Sequence, residues 1–173
     1  MIHLFSDFGL EGPYIGQVKA VLHRAAPGTV VVDLCADAPA FDPRASAYLL
    51  AAYDSICAPG DVVVAVVDPG VGGPRAAIVL EVDGRWYVGP DNGIFEAVIA
   101  QADRRPRCWQ ISWRPQTVSA SFHGRDVFAP VAAGIATEIS NGVAPDMETD
   151  DANRCFKPAE PVRMDWPADL AEV

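Results

Sequence analysis

Residues 61–70 read DVVVAVVDPG, and this stretch decides the fold. Val62 to Val67 are apolar without a break, and all but Ala65 are valine. A strand with one wet face alternates apolar and polar residues. A continuous β-branched run is instead covered on both faces, as in a parallel sheet sandwiched between helices. The run ends abruptly in Asp68-Pro69-Gly70, so a polar turn sits at the carboxyl end of a buried strand.

Working outward on the N-terminal side, MIHLFSDF is a short buried strand that ends in polar residues. Tyr14 to Ala26 follows, with Ile15, Val18, Val21 and Leu22 at helical spacing. Thr29 to Cys35 is a second β-branched run, and Pro43 opens a helix through Tyr48, Leu49, Ala52 and Tyr53. Pro59-Gly60 closes that unit. On the C-terminal side, AAIVLEV (76–82) and RWYVG (85–89) flank Asp83-Gly84, a hairpin signal. Gly93 to Ala102 reads as helix, WQIS (109–112) as strand, and Asp126 to Ile139 as an Ala-rich helix. Strands alternating with helices predict an α/β fold: a three-layer Rossmann-like domain with a mainly parallel sheet flanked by helices. It is expected to occupy residues 1–140. Beyond Asn141 the prolines Pro145, Pro158, Pro161 and Pro167 interrupt a polar stretch, so 141–173 reads as a Pro-rich linker or tail. Its last residues, ADLAEV (168–173), are apolar enough to begin a new element.

Composition narrows the function classes. The chain has 173 residues, half of them hydrophobic, enough for one ordinary core. A formal net charge of -10 argues against a sequence-independent grip on nucleic acid, which needs clustered Lys and Arg. An acidic surface is compatible with a cationic small molecule, though it ordinarily serves solubility. Cys35, Cys57, Cys108 and Cys155 are scattered with no CxxC pair, which fits reduced thiols in a cytoplasmic protein better than a zinc knuckle. There is no signal-peptide pattern, and no apolar run reaches the roughly 18 residues of a membrane helix, so no membrane partner is expected.

Four polar signatures fall where strands end: SDFG (6–9), VDPGVGG (67–73), GPDNG (89–93) and FHGRD (122–126). Ligands of open α/β sheets bind on that rim. Asp68 and Arg75 read either as a salt bridge across a tight loop or as part of a catalytic set. His123 reads either as a hydrogen-bonded structural residue or as a proton carrier. Together a carboxylate, a guanidinium and an imidazole can orient water, exchange its proton and stabilise developing hydroxide. Asp7 can accept hydrogen bonds from a ribose diol, or form an Asx turn or helix cap. Phe41 can line a pocket or fill the core. Asp91 and Asn92 read as turn formers, Arg125 and Asp126 as a pair at a helix start, and Trp86, Trp109 and Trp113 as packing. A carboxylate–histidine metal site from Asp7, Asp68, Asp91 and His123 is conceivable, but no two of them have ligand spacing.

The segments SDFGLEGPYIGQVKAVL, VVDPGVGGPRAAIVL, GPDNG and SFHGRDVFAPVAAGIA stand in register over residues 1–140. In that order they resemble the S-adenosylmethionine (SAM) hydroxide adenosyltransferases, relatives of the fluorinases and chlorinases. The resemblance implies an enzyme that uses water to displace L-methionine from SAM and release adenosine. It implies the catalytic set Asp68, Arg75 and His123, with Asp7 holding the ribose hydroxyls beside Phe8 and Phe41 lining the cavity near the reacting carbon. No metal, flavin or nicotinamide is implied, SAM being the substrate. Water is favoured over halide because the halogenases carry Tyr where this chain has Asp68 and His123. The fluorinases also insert a long segment where only Asp83-Gly84 stands here. The chain departs from the family at Glu11-Gly12-Pro13, where an Asp usually helps to hold the methionine amine. The family also continues into a small C-terminal β-barrel and assembles as a homotrimer, the barrel of one subunit closing the site of its neighbour. On that reading this chain carries the catalytic half of a site and lacks the barrel.

Overall fold

The computed structural model describes residues 1–147, 156–164 and 166. The strands are β1 (Ile2–Ser6), β2 (Val31–Cys35), β3 (Val62–Val66), β4 (Ala77–Val82), β5 (Arg85–Pro90), β6 (Arg107–Ile111) and β7 (Phe156–Pro158). The helices are α1 (Tyr14–Ala25), α2 (Pro43–Tyr53), α3 (Glu96–Ala100) and α4 (Ala129–Ser140). One sheet contains all seven strands in the order β2-β1-β3-β5-β4-β6-β7. Its first four strands are parallel; β4, β6 and β7 each run antiparallel to the strand before them in that order. The fold is thus the expected α/β sandwich, parallel in its core, with an antiparallel edge.

The valine run of β3 is continuous because the strand feeds two cores. Val62, Val64 and Val66 face α1 and α4, packing with Leu22, Phe128 and Ile135. Val63, Ala65 and Val67 face α2 and α3, packing with Leu50, Ile94 and Val98. Asp83 and Gly84 turn the β4–β5 hairpin with φ of 50° and 84°, the left-handed pair of a type I′ turn. Asp42 caps α2 by accepting from the Ala45 amide, and Pro43 sits in its first turn.

Three elements differ from the sequence reading. The helix expected from Gly93 begins only at Glu96, because Gly93 holds φ of 93°. The last helix starts early, with a wide π turn over Gly124–Phe128 that joins α4 at Ala129. Pro130, which has no N–H to donate, stands in the first turn of α4 where the two windings meet. Within the stretch read as linker or tail, Phe156–Pro158 forms a seventh strand on β6 and Met147 is buried. Three residues carry no readable periodicity, and Pro158 is tolerated because the strand lies at the sheet edge. Cys155, Pro167 and residues 168–173 lie outside the described residues. Among the described residues no helix is long and apolar enough to cross a membrane.

The chain order places the site. From β1 the chain passes through α1 to β2 on one side, then through α2 to β3 on the other. The loops leaving β1 and β3 therefore diverge and open a crevice at the carboxyl ends of those strands.

Candidate active site

The crevice has a volume of about 370 Å³, within the range of small-molecule cavities. Asp7 and Phe8 enter it from the end of β1, Asp68 and Val71 from the end of β3, and Phe41 from the loop before α2. Ser121, Phe122, His123 and Gly124 close its far side.

Asp68 and Arg75 form a two-pronged ion pair. Arg75 Nε lies 3.0 Å from each Asp68 carboxylate oxygen, and Nη2 also donates to Oδ2. Both side chains are nearly covered, 4 % and 10 % exposed respectively. A planar guanidinium fork matches a carboxylate in this way, so the pair is held in orientation as well as in distance. The guanidinium carbon stands 5.4 Å from the centre of the Phe128 ring.

Arg75 Nη2 also donates to His123 Nδ1 at 3.1 Å. A guanidinium has donors and no acceptor, so Nδ1 must bring the lone pair. His123 is then neutral, with its proton on Nε2. Burial pushes its pKa below the ordinary 6.5, and the Arg75 and Arg114 cations push it the same way. Protonation would set a second cation against Arg75 and remove the acceptor. If the neutral form is the working one, activity is full above the shifted pKa and falls as pH drops through it. The acid limb assigned to His123 should therefore lie below pH 6.5. An NMR titration of its imidazole beside a pH–rate profile checks this, and a His123 midpoint above 6.5 would contradict it.

These residues meet because of a glycine. Gly72, at φ of 78°, lies so close to the 119–122 segment that a Cβ there would stand 2.5 Å from the Ala120 carbonyl oxygen. Only a residue without Cβ lets the 68–75 loop seat against that segment and bring Arg75 to His123.

Asp7 does not cap α1, whose N-terminus has no side-chain cap. Its Oδ2 accepts from the Phe41 amide at 3.0 Å, tying two loops at the crevice mouth. Phe41 itself holds φ of 58°, and its side chain stands 76 % exposed rather than in the core. Phe8 packs edge-on against Phe122 at 5.6 Å, and Tyr14 meets Phe122 at 5.2 Å. This aromatic wall includes two residues, Tyr14 and Phe122, that sequence reasoning did not single out. Phe122 adjoins His123 in a quoted motif, but an aromatic there also reads as core.

The other candidates are structural. Asn92 and Asp91 form a turn outside the crevice. Arg125 pairs with Asp126 at the start of the π turn, and Asp126 accepts from the Ser119 amide at 2.7 Å. The Arg125 bond, the largest favourable cause, holds the Asp126 carboxyl below its usual range despite partial burial. Trp86 and Trp109 stack at 5.9 Å. Trp113 packs against the core. The four-residue metal set does not assemble: among the described residues no three His, Cys, Asp or Glu side chains gather around one point.

Fold and crevice together define a Rossmann-like α/β domain with a crevice of small-molecule size at its topological switch point. Residues 2–143 match the N-terminal domain of the SAM hydroxide adenosyltransferases, and the chain belongs to that family. It is 43 % identical over 166 residues to an (R)-S-adenosyl-L-methionine hydrolase of Thermus thermophilus, covering 88 % of this chain and 64 % of that one. It is 40 % identical over 138 residues to the enzyme of the same name from Salinispora arenicola, covering 78 % and 52 %. The chain thus spans about half to two thirds of these relatives. A solved conserved protein of Thermotoga maritima superposes with a TM-score of 0.80 at 31 % identity, covering 96 % of this chain and 62 % of that one.

Proposed function

We propose that this chain carries the catalytic wall of a SAM hydrolase site, where water displaces L-methionine from C5′ and leaves adenosine. The observation that carries the reading is Arg75 bracketed by Asp68 and His123 Nδ1 beside the crevice. The C5′–S bond breaks with its electron pair left on sulfur, so methionine departs as a neutral thioether and needs no general acid. The C5′–O bond forms from water, and the difficulty is to present that water, partly desolvated, in line with the leaving group. Orientation of this kind supplies several kcal/mol of a barrier.

Arg75 polarises the water and stabilises developing hydroxide. His123, with Nδ1 committed to Arg75, offers its Nε2–H as a positioning donor. Asp68 is then the group of the three that accepts the proton. Asp7 binds the ribose hydroxyls, and Phe8 and Phe41 supply apolar walls near the reacting carbon. No cofactor is assigned. A homotrimer in the cytoplasm, where Cys35, Cys57 and Cys108 stay free thiols, fits the family resemblance.

Incubating the protein with SAM and separating the products tests this reading. Adenosine and L-methionine are expected when the chain is joined to a barrel domain of the family's kind, before and after EDTA treatment. Activity abolished by EDTA and restored by a divalent cation would overturn the metal-free mechanism. 5′-Chloro-5′-deoxyadenosine as main product in chloride buffer would overturn the choice of nucleophile.

A further inference from the structure

The GPDNG turn lies outside the crevice, yet it grips both stems of the loop that carries Asp68 and Arg75. On one stem, β3 and β5 pair only as far as Val64 and Val88, so the buried Val67 carbonyl has passed the end of that ladder. The Asn92 side chain takes its place: Nδ2 donates to the Val67 oxygen at 2.9 Å. Its Oδ1 accepts from the Ile94 amide at 3.3 Å, which fixes the orientation of the carboxamide. On the other stem, the Asp91 amide donates to the Ala76 oxygen at 3.0 Å. The two grips fall on the residue before Asp68 and the residue after Arg75.

The turn is itself held from behind by residues 161–164 and 166. The Val162 amide donates to Asp91 Oδ1 at 2.9 Å. Glu96, a side chain only 9 % exposed, takes Arg163 in a two-pronged pair with contacts of 2.8–3.0 Å, and accepts the Met164 amide at 3.2 Å. The Met164 and Trp166 side chains fill the space against Gly93, where a Cβ would meet them at 2.8 and 2.7 Å. A carboxylate so buried and so fully paired is a fastening point.

We infer that Asn92 is a positioning residue for the Asp68–Arg75 pair, and that Val162, Arg163 and Met164 brace it through Asp91 and Glu96. The inference rests on the catalytic reading of Asp68 and Arg75. The grip itself is a property of the fold, so it is tested separately from turnover.

The experiment compares Asn92→Ala and Asn92→Asp with the parent protein. The aspartate keeps the shape and loses the donor to Val67. Both variants should move the Arg75 Nε–H resonance and lower kcat for SAM hydrolysis about tenfold, with KM changed less than twofold. Tyr87→Phe, which removes the bond to Asp54 at the opposite end of the sheet, should lower the melting temperature and leave both readouts alone. Should the Asn92 variants fail to fold, Arg163→Ala decides, because Arg163 is 58 % exposed and its loss spares the core. It should shift the Arg75 resonance in the same direction and reduce kcat a few-fold. An Arg75 resonance unmoved in folded Asn92 or Arg163 variants would overturn the inference. A shifted resonance in a protein that does not hydrolyse SAM would uphold the grip and overturn the activity instead.

Discussion

Arg75→Ala is expected to lower kcat for SAM hydrolysis by about 10²-fold or more, the usual scale for an electrostatic group acting on a developing charge. Arg75 is the one residue that touches both other members of the set, donating to Asp68 and to His123 Nδ1. Its loss removes the cation, frees the imidazole to change tautomer, and strands a carboxylate only 4 % exposed. Stranding a buried charge also costs stability, on the order of 3–5 kcal/mol for a fully buried pair, so the alanine variant alone would mix two effects. His123→Ala separates them, because it leaves the Asp68–Arg75 pair in place, whereas Asp68→Asn leaves Arg75, 10 % exposed, without its counter-charge and so shares the stability cost. Each should fall by a similar factor of about 10². Asp7→Ala, whose contact is at the mouth, should act mainly on KM. Wild-type kcat in any two of the three catalytic variants, verified as folded by a cooperative melt, would sink the assignment.

Gly72→Ala should lower kcat about tenfold or more although residue 72 has no chemistry of its own. Two penalties coincide there. A left-handed φ costs an alanine roughly 1–2 kcal/mol, and the new Cβ would lie 2.5 Å from the Ala120 carbonyl, so backbone must move. The loop relieves the clash by withdrawing from the 119–122 segment, which carries Arg75 away from His123. Gly28→Ala carries the first penalty alone. Gly28 has almost the same φ, 83°, but open space around the added methyl, far from the crevice. It should lose less stability than Gly72→Ala while its kcat stays that of the parent. If Gly72→Ala matches Gly28→Ala in kcat, the loop-to-loop seat is not what assembles the site.

The legible parts of this molecule share a physical cause. Val62 to Val67 could be read as a doubly covered strand because each residue of the run faces one of two cores, so no position tolerates a polar side chain. Asp83-Gly84 could be read as a hairpin because both residues hold left-handed φ. The Asp68, Arg75 and His123 set was visible as polar residues at strand ends, but the bonding direction was not. That Arg75 donates to Nδ1, and so selects the imidazole tautomer, depends on two loops meeting at Gly72. Other features left no local signal. Asn92 looks like any turn asparagine, and its bond to a carbonyl 25 residues away is set by sheet order alone. β7 and the strap behind Glu96 belong to a stretch whose prolines read as linker, because pairing at a sheet edge needs neither length nor periodicity. Phe41 lines the crevice, as one of its two sequence readings has it, but its apolarity gives no sign that its amide donates to Asp7.

The proposed reaction has water attacking C5′ of SAM. Turnover in water enriched in oxygen-18, followed by mass spectrometry of both products, tests it most directly. One oxygen-18 atom is expected at the 5′ position of adenosine, with unlabelled L-methionine. Unlabelled adenosine, or products in which the C5′–S bond is intact, would contradict it.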